Sequence, residues 1–513
     1  TRIAEMDVDA LGRPFVTFRT RDDFQAIFAN RSVSVPVARY PRGKARAGDT
    51  DKNGNVIGSA IEWTQVPLGK LWFEHPWRRE ARGIDYRPGE PDARTDTGAA
   101  SRGDVGARPA DAAATWRAYG VNPWSVLERK RHPDAFNLWR GWGVDPLPAD
   151  CRRVESGWWT GTPVAALPFL RHLHEVVCSG DDELYEWLVC WLAQAFQDPM
   201  DVPGTAVVLQ SEEKGTGKGW VDRFVRAMAG ANGLQLNRPS DVVGQFNGVF
   251  QGKLFLTLDE IFIRDPSAAQ IVKSVITEPT ISIELKRLEK VEIRNLARLI
   301  FMTNERHAIL AERTERRYLA LRVSDRKRKS ETDGAKERAE KDRWWDDLKA
   351  SLDGDGPAAV LRHLLEVDVE AVDLRKPPIT ELLVDQIARS LYGVDRWWLE
   401  CLIAGEVPLP DGDGGAWPET LTNEELEASF GAYARKRRLP AYHTADLNAL
   451  RDWMTDASKA VGGRAVRTSR AGTRKRGVSV PDLADARARF AAWLEVPEAM
   501  LFRDADADGD GDD

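Results

Sequence analysis

The feature that most constrains this chain is a pair of apolar runs on either side of a glycine-rich loop. Thr205-Ala206-Val207-Val208-Leu209 leads into Ser211-Glu212-Glu213-Lys214-Gly215-Thr216-Gly217-Lys218-Gly219, and about forty residues later Leu254-Phe255-Leu256-Thr257-Leu258 ends in Asp259-Glu260. A buried strand, a glycine turn carrying a lysine and a helix make a cradle for phosphate, because backbone N–H groups and the helix N-terminus face the anion. Lys218 adds a point charge for the terminal phosphates, with Lys214, Gly215, Thr216, Gly217 and Gly219 around it. Asp259 suits a magnesium shell, and the neighbouring Glu260 can polarise water. In this order and at this distance the two halves imply an NTPase core that uses Mg2+.

Two departures from the usual loop stand out. The first glycine of G-x-x-x-x-G-K falls at Glu212, and Gly219 replaces the hydroxyl residue that normally follows the lysine. The magnesium ligand then comes from Thr216, water or Asp259, or is missing. The plain alternative is a glycine turn that binds no nucleotide, which leaves the lysine and the acid pair unexplained.

With 513 residues the chain has room for two to four domains. Lys and Arg number 73 against 80 Asp and Glu, so nucleic-acid contact must be sought locally. Cys151, Cys178, Cys190 and Cys401 lack C-x-x-C spacing and suggest neither zinc nor a disulfide framework, which points to a reducing cytoplasm. No apolar run approaches the roughly 18 residues that span a bilayer, and no signal-peptide core opens the sequence. Thr1 in place of Met raises the expectation of a fragment of something longer. The 19 tryptophans read as core anchors.

In chain order, residues 1–76 read as a small α+β module with a helical stretch over residues 22–29. Residues 77–134 read as a flexible insertion, poor in large apolar side chains over 77–115. Residues 135–200 are helical, with Leu184, Trp187, Leu188, Trp191, Leu192 and Phe196 on a helical period. His172 and His174, two apart, leave a helix on different faces, which argues against a shared metal. Residues 201–325 form the α/β core. Within it, alternation over residues 280–293 predicts a hairpin with Lys286, Arg287 and Lys290 at its tip, either a DNA contact or a charge-protected edge. A third apolar strand, Leu299-Ile300-Phe301-Met302-Thr303, delivers Asn304 beside the phosphate loop, where an amide can orient attacking water. Arg316 and Arg317 follow. They can reach the γ-phosphate of a neighbouring subunit or pair with the local glutamates, and the first reading is preferred.

Residues 326–415 read as a charged linker and helices, with Trp344, Trp345, Trp397 and Trp398 as packing anchors. Over residues 422–480, twelve Lys and Arg stand against six Asp and Glu, a local charge of +6. Two helices followed by basic strands carrying Arg474, Lys475 and Arg476 make residues 416–495 a winged-helix-like domain able to contact phosphates. A basic solvated surface is the alternative. Residues 496–513 are an acidic tail.

The order of phosphate loop, Asp259-Glu260, basic hairpin, Thr303-Asn304 and Arg316-Arg317 resembles the superfamily-3 helicases. It is more closely similar to phage and prophage primase-helicases, on the segments Asn137-Leu138-Trp139-Arg140-Gly141 and Gly215-Thr216-Gly217-Lys218-Gly219. The resemblance is specific over residues 135–325 and makes Gly219 a family trait. It implies a P-loop, AAA+-like ATPase with a parallel sheet, assembled as a homo-oligomeric ring, usually hexameric, with ATP between subunits. Single-stranded and forked DNA, and a separate primase or polymerase, are the partners it implies. On this resemblance Lys218 holds the β/γ-phosphates, Asp259 the magnesium shell and Glu260 the water. Asn304 senses the γ-phosphate, Arg317 is the trans arginine with Arg316 or Arg313 as rivals, and Lys286 is the first DNA contact. A DNA-loading switch controlled by ATP, without processive unwinding, is the competing reading.

Overall fold

The chain divides into two compact units, residues 1–143 with 230–232, and residues 144–229 with 233–513. The structure, a computed structural model, describes residues 2–8, 14–20, 32–39, 60–67, 83–85 and 135–137, and all of 141–503 except 245–249, 251, 262–264, 284–290, 410–416, 441–444, 457–460 and 471–472. In the first unit Arg2–Val8 (β1) pairs antiparallel with Pro14–Thr20 (β2), and Ser32–Arg39 (β3) with Ala60–Pro67 (β4). The valines at 33, 35 and 37 of β3 repeat with the period of two that a pleated strand needs. Gly83–Asp85 (β5), in the stretch read as a flexible insertion, pairs in parallel with Ala135–Asn137 (β6), which follows that stretch. The expected helix over residues 22–29 lies outside the described residues.

The second unit is built on a five-stranded, wholly parallel sheet of Ala206–Gln210 (β7), Gly233–Leu236 (β8), Phe255–Asp259 (β9), Arg298–Thr303 (β12) and Tyr318–Arg322 (β13), in the order β13-β7-β12-β9-β8. Between β9 and β12, Thr280–Ile283 (β10) and Val291–Arg294 (β11) pair as a separate antiparallel ribbon. All of β7 and β12 is buried, as strands covered on both faces require, which is why they read as unbroken apolar runs. Leu256, Leu258, Leu299 and Phe301 share a core with Val272, Val275 and Ile276 of the helix Pro266–Thr277. Phe255 points the other way and meets Trp191 and Phe196, with ring centroids 6.2 and 5.4 Å apart.

Five helices bear on the site or its support: Leu167–His172 (α1), Asp182–Gln197 (α2), Lys218–Ala229 (α3), Pro266–Thr277 (α4) and Ala335–Asp353 (α5). Asp181 caps α2 by accepting from Leu184 N at 3.0 Å, which fixes where the tryptophan-rich helix begins. Phe169 of α1 stacks on Phe224 of α3 at 4.2 Å, so α1 carries its C-terminal His172 against the loop that precedes α3.

Beyond the sheet, Gly393–Ala404 (α6) buries Trp397 and Trp398 completely, the packing role expected of them. Thr420–Thr422 (β14), Ala465–Arg470 (β15) and Thr473–Ser479 (β16) form an antiparallel sheet in the order β14-β16-β15, with Asn423–Arg437 (α7) and Leu447–Thr455 (α8) between the first two strands and Leu483–Leu494 (α9) after the last. A reciprocal cap, in which the Thr422 side chain accepts from Glu425 N while Glu425 accepts from Thr422 N, starts α7. Among the described residues no helix is long and apolar enough to cross a membrane.

Candidate functional site

The parallel register places Gln210, Thr303 and Asp259 at one edge of the sheet, so the residues after β7, β9 and β12 converge there. After Gln210 the chain turns through Gly215 at φ +80° and Gly217 at φ +107°, both in the region that L side chains avoid. A Cβ on Gly217 would lie 2.5 Å from His172 Cε1 and 2.7 Å from Trp345 Cη2, so glycine is required there twice over. Helix α3 starts at Lys218 and brings its N-terminal turn to a cleft of about 320 Å3, with Trp220 N already donating to the Gly217 carbonyl at 3.0 Å. Lys214, Gly215, Thr216, Gly217, Lys218 and Gly219 all line that cleft.

Lys218 Nζ donates to Ser211 Oγ at 2.5 Å and to Asn304 Oδ1. Ser211 also accepts from the buried Thr216 hydroxyl at 3.1 Å and donates to the Glu213 carbonyl at 2.7 Å. The other half of the Asn304 amide, Nδ2, donates to Glu260 Oε1 at 2.9 Å. Only one orientation of that amide serves both neighbours, oxygen to the ammonium and NH2 to the carboxylate. Glu260 takes φ +52°, uncommon for a residue with a side chain, and its N–H is held by Met302 O at 2.9 Å. The strained backbone therefore turns Glu260 back over the end of β12. Asp259 accepts from Gln235 Nε2 at 2.7 Å, and Gln235 accepts from Arg226, which is itself paired with Asp222. This chain of contacts fixes one Asp259 oxygen and leaves the other without a partner among the described residues. The buried Thr216 turns its hydroxyl to Ser211.

Burial pulls the Lys218 pKa down, opposed by the nearby charges of Glu260 and Asp259. Burial also lowers His172 from 6.5 to about 4, against a hydrogen bond to the Gly217 carbonyl at 3.1 Å. Because Gly217 offers an acceptor, His172 Nε2 carries the proton, and Nδ1 is buried without a partner among the described residues. The unfolded chain binds a proton near pH 6.5 and the folded one only near 4, so the stability due to this histidine is complete above 6.5 and is lost as pH falls toward 4. Between pH 7 and pH 5 the wild type is expected to lose roughly 2 kcal/mol that His172→Gln does not lose. Urea unfolding of both proteins at the two pH values checks this, and identical losses would show that the proton goes elsewhere.

The other sequence-derived candidates lie apart from this cleft. The Arg317 carbonyl accepts from Ala206 N at 2.8 Å, so Arg316 and Arg317 stand at the start of β7, about 15 Å along the strand from the loop that follows its end. Arg317 Nη1 is 2.9 Å from the buried carboxylate of Glu315, while the exposed guanidinium of Arg316 has no partner among the described residues. Arg313 lies over the Trp493 ring, 4.9 Å from its centroid. Lys286, Arg287 and Lys290 lie outside the described residues, between the paired strands β10 and β11. On β16, Arg474 and Arg476 are exposed, whereas Lys475 is paired with Glu424. Arg467 of β15, in the other basic strand-like segment of the sequence, sits directly across from Arg476.

Sequence reasoning missed Ser211 and Gln235 as site residues, as well as Trp220, Arg223 and Trp345, which line the cleft. Trp345, expected to be a packing anchor, is only half-buried. A tryptophan two residues after the phosphate-loop lysine was the one signal available for this group.

Over residues 209–317 the chain matches a family model described as a family of unknown function (DUF5906). No curated protein matches it. Among solved structures it is similar to the apo structure of the NrS-1 C-terminal region (305–718), at 15% identity and a TM-score of 0.48, over 82% of this chain and 92% of that one. An A form apo structure of the same region gives 16%, 0.47, 93% and 96%. A JCV helicase bound to a thiazolopyridine compound gives 15%, 0.26, 45% and 62%.

Proposed function

We propose that this chain binds ATP with Mg2+ in the Lys218 cleft and hydrolyses it to drive movement along single-stranded DNA, as a ring-forming helicase. The observation that carries the reading is the convergence of Lys218, Asn304 and Glu260, from three separate stretches of sequence, on one cleft at the C-terminal edge of a parallel sheet. The α3 N-terminus and Lys218 would receive the phosphates. The free oxygen of Asp259 suits a hard cation that keeps most of its water, and such a cation would neutralise charge on the β- and γ-phosphates. Glu260 is the base that would take a proton from the attacking water. Asn304, which now bridges Lys218 to Glu260, would turn its Nδ2 from the Glu260 carboxylate to a γ-phosphate oxygen and so link occupancy of the cleft to release of the base.

A base and a cation on one side leave the far side of a transferring phosphoryl group uncovered. Arg316, exposed and at the opposite end of β7, cannot serve its own cleft but is free to serve that of a second copy, which supports assembly around the nucleotide. It is preferred over Arg317, whose guanidinium Glu315 already holds. The helices α7 and α8 and the strands β15 and β16 support the reading of residues 416–495 as a winged-helix-like domain. The exposed Arg474 and Arg476, with Arg467, form the basic face proposed to meet the DNA backbone.

The test is ATP hydrolysis by wild type and Glu260→Gln, with and without single-stranded DNA at fixed salt. Turnover stimulated by DNA and reduced about 10^2-fold or more in the variant is expected, since a positioned general base contributes that much. Binding of ATP without turnover in the wild type would replace the motor by a DNA-loading switch.

A further inference from the structure

We infer that Trp220 and Trp345 form a stacking platform for the nucleobase, making the site one for purine nucleoside triphosphates in general rather than for ATP alone. This rests on the nucleotide reading of the Lys218 cleft and concerns the half of the cleft that the phosphates leave free. Lys218, Glu260 and Asn304 occupy one part of the cleft, while Trp220, Arg223 and Trp345 complete its lining. Trp220 lies in the first turn of α3, where a ligand whose phosphates sit on the helix N-terminus must pass with its sugar and base. Trp345 arrives from α5, and its six-membered ring presses on the phosphate loop at Gly217. Its indole N–H donates to the Lys327 carbonyl at 2.9 Å, which fixes the ring plane.

The two rings are nearly parallel, 16° apart with centroids 6.4 Å from each other, and the Arg223 guanidinium stands 5.0 Å from the Trp220 centroid. A base lying along these faces stacks on both an indole and a cation, as bases do on aromatic platforms elsewhere. Both tryptophans are partly exposed, in a unit where Trp191, Trp397 and Trp398 are fully buried. The lining offers a base edge few groups, since Arg223 lies over the Trp220 ring and the Thr216 hydroxyl is turned to Ser211. Among the described residues, its amide and carboxylate side chains are Asn304 and Glu260, which bond to each other. A pocket that holds a ligand by its faces and not by its edges separates related ligands weakly. Stacking area then decides, and purines exceed pyrimidines.

The experiment measures dissociation constants of ATP, GTP, CTP and inorganic tripolyphosphate for the full chain and for Trp345→Ala, Trp345→Phe and Trp220→Ala. ATP and GTP are expected within about threefold of each other and CTP weaker. Each alanine variant should lose about tenfold or more for ATP while its tripolyphosphate affinity stays unchanged, and Trp345→Phe should restore most of the loss. Trp220→Ala separates stacking from the packing of Trp345 on Gly217. Equal losses of ATP and tripolyphosphate in both alanine variants, or a preference of ATP over GTP beyond a hundredfold, would overturn the platform. So would alanine variants that weaken single-stranded DNA and leave ATP unaltered. Failure of the wild type to bind any of the four ligands would remove the nucleotide reading itself.

Discussion

Lys218→Ala is expected to lower nucleotide turnover by at least about 10^2- to 10^3-fold, the usual cost of deleting one preorganised donor from a site where negative charge develops. The ammonium is already partly desolvated, with its pKa drawn down by burial and supported by Glu260 and Asp259. A triphosphate would therefore meet a cation that has shed much of its water before binding. The lysine also holds the Asn304 oxygen, and Asn304 holds Glu260. Its loss removes the positive charge proposed to meet the phosphates and frees the amide that holds Glu260. Lys218→Ala and Glu260→Gln should then be strongly non-additive, because both act through Asn304. The check is phosphate release by the two single variants and the double variant. Residual turnover in Lys218→Ala within fivefold of wild type would exclude this cleft as the hydrolytic site.

The parts of this site that were legible in the sequence are those whose chemistry is contiguous. A phosphate loop must be built from neighbouring glycines and a lysine, and the acids must end a buried strand, so residues 211–219 and 254–260 announce themselves. Asn304 was legible because a polar amide ending an apolar run has few other reasons to be there. The remaining members reach the cleft through tertiary placement, which leaves no local pattern. Gln235 is one polar residue on the short edge strand β8, indistinguishable in sequence from a solvated one, yet it orients Asp259. Trp345 follows a mixed-charge run on α5 and gave only the general signal of a bulky anchor. His172 was correctly separated from His174 by helical geometry, but nothing in its neighbourhood shows that Gly217 lies opposite. Arg316 and Arg317 illustrate the converse. Two readings were open for them, and the structure shows a local pair for Arg317 and an exposed guanidinium for Arg316, on which the trans role is only proposed. The sheet itself was readable as α/β because buried parallel strands are unbroken apolar runs. Its strand order was not, since that depends on long-range pairing.

Arg298→Met is expected to be the most destabilising single change outside the cleft, at about 3 kcal/mol or more. Arg298 opens β12 and is fully buried, and burial lowers its pKa to about 10. Its Nη2 donates to Gln194 Oε1 at 2.7 Å and to the Asp201 carbonyl at 2.8 Å, and its Nη1 approaches the Pro199 and Leu296 carbonyls at 3.4 and 3.3 Å. One side chain thus ties the end of α2, the turn before β7 and the start of β12. Two opposing effects follow from its removal. Methionine relieves the cost of a desolvated charge, but it takes the donor from Gln194 Oε1 and from the Pro199 and Leu296 carbonyls, at about 1–3 kcal/mol each, while the Asp201 carbonyl keeps Gln194 Nε2. Arg298 Nε is itself buried without a partner among the described residues, so the charge is imperfectly compensated and its relief is real. The orphaned oxygens outnumber that single gain, and the balance falls on destabilisation. Arg298→Lys, which keeps the charge with fewer and differently directed donors, should lie between wild type and methionine. Urea midpoints of the three proteins decide the order. If methionine matches wild type, the guanidinium is a tolerated burial and not the clamp. Because β12 delivers Thr303 and Asn304 to the cleft from its other end, the clamp also sets how far that strand reaches. Turnover of the lysine variant, measured well below its unfolding transition, should therefore fall by more than the folded fraction alone accounts for.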